Sequence, residues 1–111
     1  MKFIQYGGDT MKLPTSKNHL NFKWLEPRCN ILFSVCRQGN AASIHFTSDK
    51  NGLRKINQAV NEFCEFIFWI FDWCTMIFGN TKTKSAARVA KNCGFERLLS
   101  KGCFSIYVRL R

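Results

Sequence analysis

Two side chains of this sequence could transfer protons. His45 is the sole titratable candidate for a general base in the β-rich segment 30–47, because an imidazole takes up a proton near neutral pH. Tyr107 lies in the last β-rich run and could donate a proton if its hydroxyl reached a substrate. A histidine with a structural role and a strand tyrosine with its hydroxyl at the surface are the commoner cases. We therefore assign no catalytic residue from the sequence.

The cysteines could bind a metal or form disulfides. There are six, Cys29, Cys36, Cys64, Cys74, Cys93 and Cys103. No C-x-x-C motif occurs, and neither histidine stands at ligand spacing from a cysteine pair. Most of the cysteines lie in apolar runs, where a free thiol behaves as a small buried hydrophobe. We expect reduced thiols, as in a cytoplasmic protein, and no metal.

Positive charge dominates the chain. It has 17 Lys and Arg against 7 Asp and Glu, a net charge of +10, and from residue 81 onward the sole acid is Glu96. Such a surface favours a partner with negative charge, which could be an acidic protein, a nucleic acid or the phosphates of a cofactor. A basic surface without a partner is the alternative.

The hydrophobic pattern predicts one α/β (α+β) domain with a mixed sheet. A hairpin at 30–36 and 42–47 precedes an amphipathic helix from about Asn51 to Trp69. A strand at 73–78, a short helix at 85–92 and strands at 95–99 and 103–110 complete the order β-β-α-β-α-β-β. Residues 1–28 are predicted as an N-terminal extension of loop with one short strand near 22–25, and residues 29–111 as the domain itself.

The longest apolar run, 63–78, does not predict a membrane span. Glu65 and Asp72 interrupt it, and it is shorter than the ~20 residues that cross a bilayer. The apolar start of the chain is also too short for a secretory signal. These features predict a cytoplasmic protein with no membrane partner.

The C-terminal pattern resembles the acetyl-CoA-binding half of GNAT N-acetyltransferases. A strand is followed by Asn80, Ser85, a short helix and Gly94-Phe95-Glu96 before a terminal hairpin. The resemblance covers residues 31–111 and implies a GNAT-like sheet with a truncated N-terminal part, since residues 1–28 are too short for the acceptor-side helices. It also implies that acetyl-CoA binds where two parallel strands splay apart, with Asn80 and Ser85 at the cofactor.

The same resemblance puts the cofactor diphosphate at the start of the central helix, where backbone N–H groups attract anions. The residues there are Asn51, Gly52, Leu53 and Arg54. The family loop, Arg/Gln-x-x-Gly-x-Gly/Ala, is reduced here to one glycine, and Asp49 stands beside it. An anionic side chain lowers affinity for phosphate, and nearby lysines and arginines offset this in part. The tyrosine that serves many GNAT enzymes as general acid is replaced by Ala90.

Two tripeptides resemble small acetyltransferase-like proteins of short-tailed phages. They are Thr47-Ser48-Asp49 before the central helix and Gly79-Asn80-Thr81 at the end of a strand. With the reduced glycine loop, this resemblance leads to our main interpretation: a non-catalytic phage protein, without cofactor, either virion-associated or host-directed against a defence. It would bind an acidic partner, a larger assembly or a second copy through its basic C-terminal surface.

Two alternatives stay open. One is a divergent acetyl-CoA-dependent N-acetyltransferase, which accounts for the retained Asn80, Ser85 and Gly94-Phe95. The other is a nucleic-acid-binding domain, supported by the positive charge and by aromatic residues that could stack on bases.

Overall fold

The computed structural model describes residues 2–8, 13 and 18–111, and these form a mixed sheet of seven strands with two α-helices. The strands are β1 (Phe3–Gln5), β2 (His19–Trp24), β3 (Ile31–Gln38), β4 (Ala41–Ser48), β5 (Met76–Thr81), β6 (Glu96–Lys101) and β7 (Phe104–Leu110). A short 3₁₀-helix, Gly52–Lys55, leads into α1 (Ile56–Ile70), and α2 is Lys84–Asn92. The sheet order is β1-β2-β3-β4-β5-β7-β6. The predicted α/β class and its order of elements are confirmed for residues 31–110.

The N-terminal part contributes more of the sheet than the sequence predicts. The expected single strand near 22–25 is β2, and β1 pairs with it in antiparallel register, with Phe3 opposite Trp24. Both of these side chains are buried in the core. A strand as short as β1 has too few residues to show an alternating pattern, so its pairing depends on contacts with the rest of the fold. Residues 9–12 and 14–17 of the predicted N-terminal loop lie outside the described residues.

One face of the sheet packs against both helices. The ring of Phe33 in β3 stacks on Phe63 of α1 with centroids 4.2 Å apart. Cys93, at the end of α2, donates its Sγ hydrogen to the carbonyl of Asn57 in α1 at 3.2 Å. The apolar stripe of α1 is therefore the face that meets the sheet, as its periodicity predicts.

Two boundaries differ from the sequence prediction. The first turn of the predicted central helix is the 3₁₀-helix, and the strand expected to begin at Trp73 begins at Met76. Trp73 instead stacks on Phe71 with centroids 5.0 Å apart, and the guanidinium of Arg37 lies 4.4 Å from its ring centroid. The aromatic run therefore continues past the helix into a turn, which periodicity alone does not separate from a strand.

The end of α2 and the cysteines follow expectation. Gly94 has a φ of 82°, the left-handed conformation predicted for this helix C-cap.

All six cysteines belong to the described residues, and all are free thiols. In the described part of the chain, neither helix is long and apolar enough to cross a membrane.

Candidate functional site

The two parallel neighbours, β4 and β5, separate part-way along their length. They pair at Ala41↔Met76, Ala42↔Ile77 and Ser43↔Phe78, and the ladder ends there. Both strands run on beyond this point, β4 to Ser48 and β5 to Thr81. Backbone N–H and C=O groups of β4 that face this gap have no β5 partner, so they are available to a ligand.

A cavity of about 260 Å³ lies at this gap. Ile44, His45 and Phe46 line it from β4, and Gly79, Asn80 and Thr81 line it from β5. The remaining lining residues are Val60 of α1, Ala86, Val89 and Ala90 of α2, Phe95, and Tyr107 of β7. The lining is mostly apolar with a few polar groups, which is typical of small-molecule sites. Its volume is sufficient for a small acyl group and a short chain behind it.

A groove between α1 and α2 adjoins this cavity. Its volume is about 400 Å³, and it shares Phe46, Ala86 and Val89 with the cavity. Its other residues are Leu53, Ile56 and Asn57 on the α1 side and Thr83, Ser85, Arg88 and Asn92 on the α2 side. We refer to the adjoining cavity and groove together as the path.

His45 projects from β4 at the wall of the cavity. Side chains alternate along a strand, so His45 points away from the face on which its neighbours Ile44 and Phe46 meet the helices. Its Nδ1 is buried and has no hydrogen-bond partner among the described residues. Burial and, to a smaller extent, the nearby His19 lower the pKa of His45 below its ordinary value of 6.5. The ring is therefore neutral near pH 7 and can accept a proton.

Tyr107 enters the same cavity from the opposite direction. It is buried in β7, and in the ladder it lies directly across from Gly79 of β5. Ala90, the position of the general-acid tyrosine in many GNAT enzymes, lines this cavity too. The sequence suggests Tyr107 as a candidate proton donor. It does not predict that this tyrosine lines the cavity, because strand register cannot be derived from residue spacing alone.

One backbone N–H at the start of the central helix is already bonded within the chain. The N–H of Gly52 donates to Asp49 Oδ1 at 2.7 Å, so a carboxylate of the chain itself takes the place of an anionic ligand. Gly52 is buried, and a Cβ there would collide with Ser48 Oγ and Ile31 Cγ1. This glycine is therefore required by packing rather than by close approach of a cofactor.

The structure separates the six residues predicted to bind cofactor. Asn80 lines the cavity, and Leu53 and Ser85 line the groove. Asn51 and Arg54 line a different surface depression, together with Glu26 and Lys55. The path thus brings together Leu53, Asn80 and Ser85, whereas Asn51, Gly52 and Arg54 lie apart from it. Arg88, which the sequence did not single out, faces the groove, and its helical spacing from Ser85 is the signal that could have indicated it.

No protein-family model matches the chain, and no curated protein matches it in sequence. Solved structures do match. The N-acetyltransferase PseH of Campylobacter jejuni has a TM-score of 0.73 at 9% identity, over 86% of this chain and 70% of that one. The spermidine N-acetyltransferase SpeG of Vibrio cholerae, as an F149A mutant, has a TM-score of 0.67 at 13% identity, over 85% and 66%. The aminoglycoside acetyltransferase AAC(6')-Ib, in complex with coenzyme A, has a TM-score of 0.66 at 17% identity, over 86% and 68%.

These matches show the fold. The chain has the mixed α/β fold of GNAT-type N-acetyltransferases, and the predicted resemblance is confirmed at that level. The main functional interpretation, a non-catalytic phage interaction protein, is wrong. The matched structures are N-acetyltransferases, and PseH is also known in complex with acetyl coenzyme A, which favours the enzyme alternative. The resemblance to phage proteins, the cytoplasmic location and the partners stay predictions.

Proposed function

We propose that this protein transfers an acetyl group from acetyl-coenzyme A to an amine. The observation that carries the proposal is the separation of β4 and β5 after the Ser43↔Phe78 pair, with an apolar cavity at the gap. The fold it shares with N-acetyltransferases, including ones in complex with acetyl coenzyme A or coenzyme A, supports it.

The residues at the gap fit the thioester end of the donor. Gly79, Ala86 and Ala90 are small and leave the cavity open, and the free edge of β4 offers backbone hydrogen bonds to an amide-containing chain. Bound there, acetyl-coenzyme A would supply an activated acyl carbonyl. Asn80 and Ser85 would contact the chain behind it. At the start of the central helix the Gly52 N–H already binds Asp49, so this N–H is not available to the diphosphate and the carboxylate repels it.

His45 and Tyr107 have complementary roles in this proposal. The bond between the amine nitrogen and the acetyl carbon forms as the carbon–sulfur bond breaks, so the nitrogen loses a proton and the sulfur needs one. His45 accepts the proton from the nitrogen at its neutral imidazole, and Tyr107 donates its hydroxyl proton to the sulfur. His45 points away from the helix face, so the amine enters from that side of the sheet. The apolar lining excludes water, which would otherwise hydrolyse the thioester.

Calorimetric titration with acetyl-CoA, followed by a thiol-release assay on a panel of amines, tests the proposal. Gly79→Val adds a side chain at the cavity wall, where its Cβ would meet its nearest neighbour, Ile44 O, at an ordinary 3.8 Å, and thermal melting checks that the fold is kept. Gly7→Val is the matched control, since a Cβ at Gly7 meets nothing within 4 Å. We expect binding to weaken at least about tenfold in Gly79→Val alone. Equal binding by both variants would overturn the proposed site.

A further inference from the structure

A carboxylate and a bonded amide at the start of the central helix disfavour the charged end of the donor there. At that position the carboxylate of Asp49 accepts the Gly52 N–H at 2.7 Å, and the Asp49 backbone carbonyl accepts the same N–H at 3.2 Å. A phosphate placed there would meet a carboxylate of like charge and an amide that is already bonded. This reasoning rests on the proposed function, because it concerns the same donor.

The groove between α1 and α2 adjoins the donor cavity. Phe46, Ala86 and Val89 line both, so the groove is the neighbouring surface that a ligand with its acyl end in the cavity reaches first. The depression that contains Asn51 and Arg54 shares no lining residue with the cavity. A single ligand that starts at the strand gap therefore passes α2 rather than that depression.

The polar lining of the groove suits an anion. Arg88 is exposed at its wall and, among the described residues, has no acidic partner in an ion pair. Ser85 and Asn57 add neutral hydrogen-bonding side chains, and no acidic residue lines the groove. A guanidinium binds phosphate in a planar, bidentate geometry. Arg54, by contrast, shares its depression with Glu26, whose carboxylate accepts from Lys55 Nζ at 3.0 Å.

We infer that the groove along α2, with Arg88 and Ser85, binds the diphosphate end of the acyl donor in place of the start of the central helix. The ligand class is a pantetheine thioester that carries phosphate at its far end. The strand gap then binds the uncharged part, and Arg88 and Ser85 of α2 bind the charged part.

The test compares two donors by calorimetry, acetyl-CoA and acetyl-pantetheine, which has no phosphate. Arg88→Ala should weaken acetyl-CoA binding by about tenfold or more, the loss expected for a charge-assisted hydrogen bond, and leave acetyl-pantetheine binding unchanged. Arg54→Ala is the control, because it removes an exposed arginine that lines the other depression. This variant should bind acetyl-CoA and acetyl-pantetheine as tightly as the natural chain. Thermal melting of each variant shows that the substitutions leave the fold intact.

Four outcomes would overturn the inference. The first is weaker acetyl-CoA binding in Arg54→Ala but not in Arg88→Ala. The second is an Asp49→Asn variant that binds acetyl-CoA about tenfold more tightly than the natural chain, since this would place the phosphates at the central helix. The third is a natural chain that binds neither donor, which would remove the proposed function as well. Binding of acetyl-pantetheine with no added affinity for acetyl-CoA would overturn this inference alone.

Discussion

Gly79 lies directly opposite Tyr107 in the antiparallel ladder between β5 and β7, and both residues line the cavity where β4 and β5 separate. The absence of a side chain at Gly79 leaves space beside the phenol ring. Ala90 on α2 leaves more space on the helix side of the cavity. A buried tyrosine with open space beside it can meet a ligand, which a tyrosine packed on all sides cannot.

Tyr107→Phe should lower kcat by about a hundredfold, the lower end of the range for loss of a general acid, with little change in KM. The ring still packs, so the fold and the cavity shape are kept and only the donated proton is lost. Steady-state kinetics measure the two constants separately. Ala90→Tyr in the Tyr107→Phe background restores a hydroxyl at the helix wall and should recover part of kcat. An unchanged kcat in Tyr107→Phe would exclude the tyrosine as the acid.

His45→Gln should abolish the rise of kcat/KM with pH. Because the pKa of His45 is lowered from 6.5, the activity of the natural chain should rise with pH and the midpoint of this rise should lie below 6.5. His19→Gln removes the smaller of the two causes of the shift, so it should move this rise to higher pH. A rise that persists in His45→Gln would assign it to another group.

The same group gives a pH dependence of stability. The folded-state pKa of His45 lies below the unfolded one, so below about pH 6.5 the unfolded chain binds more protons. The contribution of His45 to the free energy of unfolding should therefore be complete above that pH and be lost as pH falls through the folded pKa. Urea unfolding at a series of pH values measures it, and His45→Gln should show a flatter profile. Parallel profiles would contradict the assignment.

The sequence predicts the scaffold better than the site. The apolar stripe of α1 and the positive φ of Gly94 are local properties of the chain, so both are predictable from residue spacing. The meeting of Gly79 with Tyr107 depends on strand register. The self-capping of Gly52 by Asp49 depends on backbone conformation. No sequence motif encodes the strand pairing or the Gly52–Asp49 bond. For this reason the residues predicted to bind phosphate at the central helix differ from the residues that line the groove.

Gly52→Ala should destabilise the fold by about 1–3 kcal/mol, the usual cost of overpacking a buried position. The added Cβ would collide with Ser48 Oγ and Ile31 Cγ1 and would lie 3.1 Å from Asp49 Oδ1. Chemical denaturation measures the loss, and Gly7→Ala is the control in open space. If Gly52→Ala were as stable as the control, the glycine would not be required by packing, and a role in ligand approach would be open again.

Arg111→Ala should lower the melting temperature, because this guanidinium binds three backbone carbonyls, one in the last turn of α1 and two just beyond its end. Its Nη1 donates to Cys74 O at 2.6 Å and its Nη2 to Phe68 O at 2.6 Å, with a longer bond of 3.3 Å from Nη1 to Phe71 O. A cation at a helix C-terminus also interacts favourably with the helix dipole, so the loss should be about 1–2 kcal/mol. Arg97→Ala, on the exposed edge strand β6, removes the same charge without these bonds and should melt near the natural chain. Equal melting of the two variants would show that the three carbonyl bonds of Arg111 do not stabilise the fold.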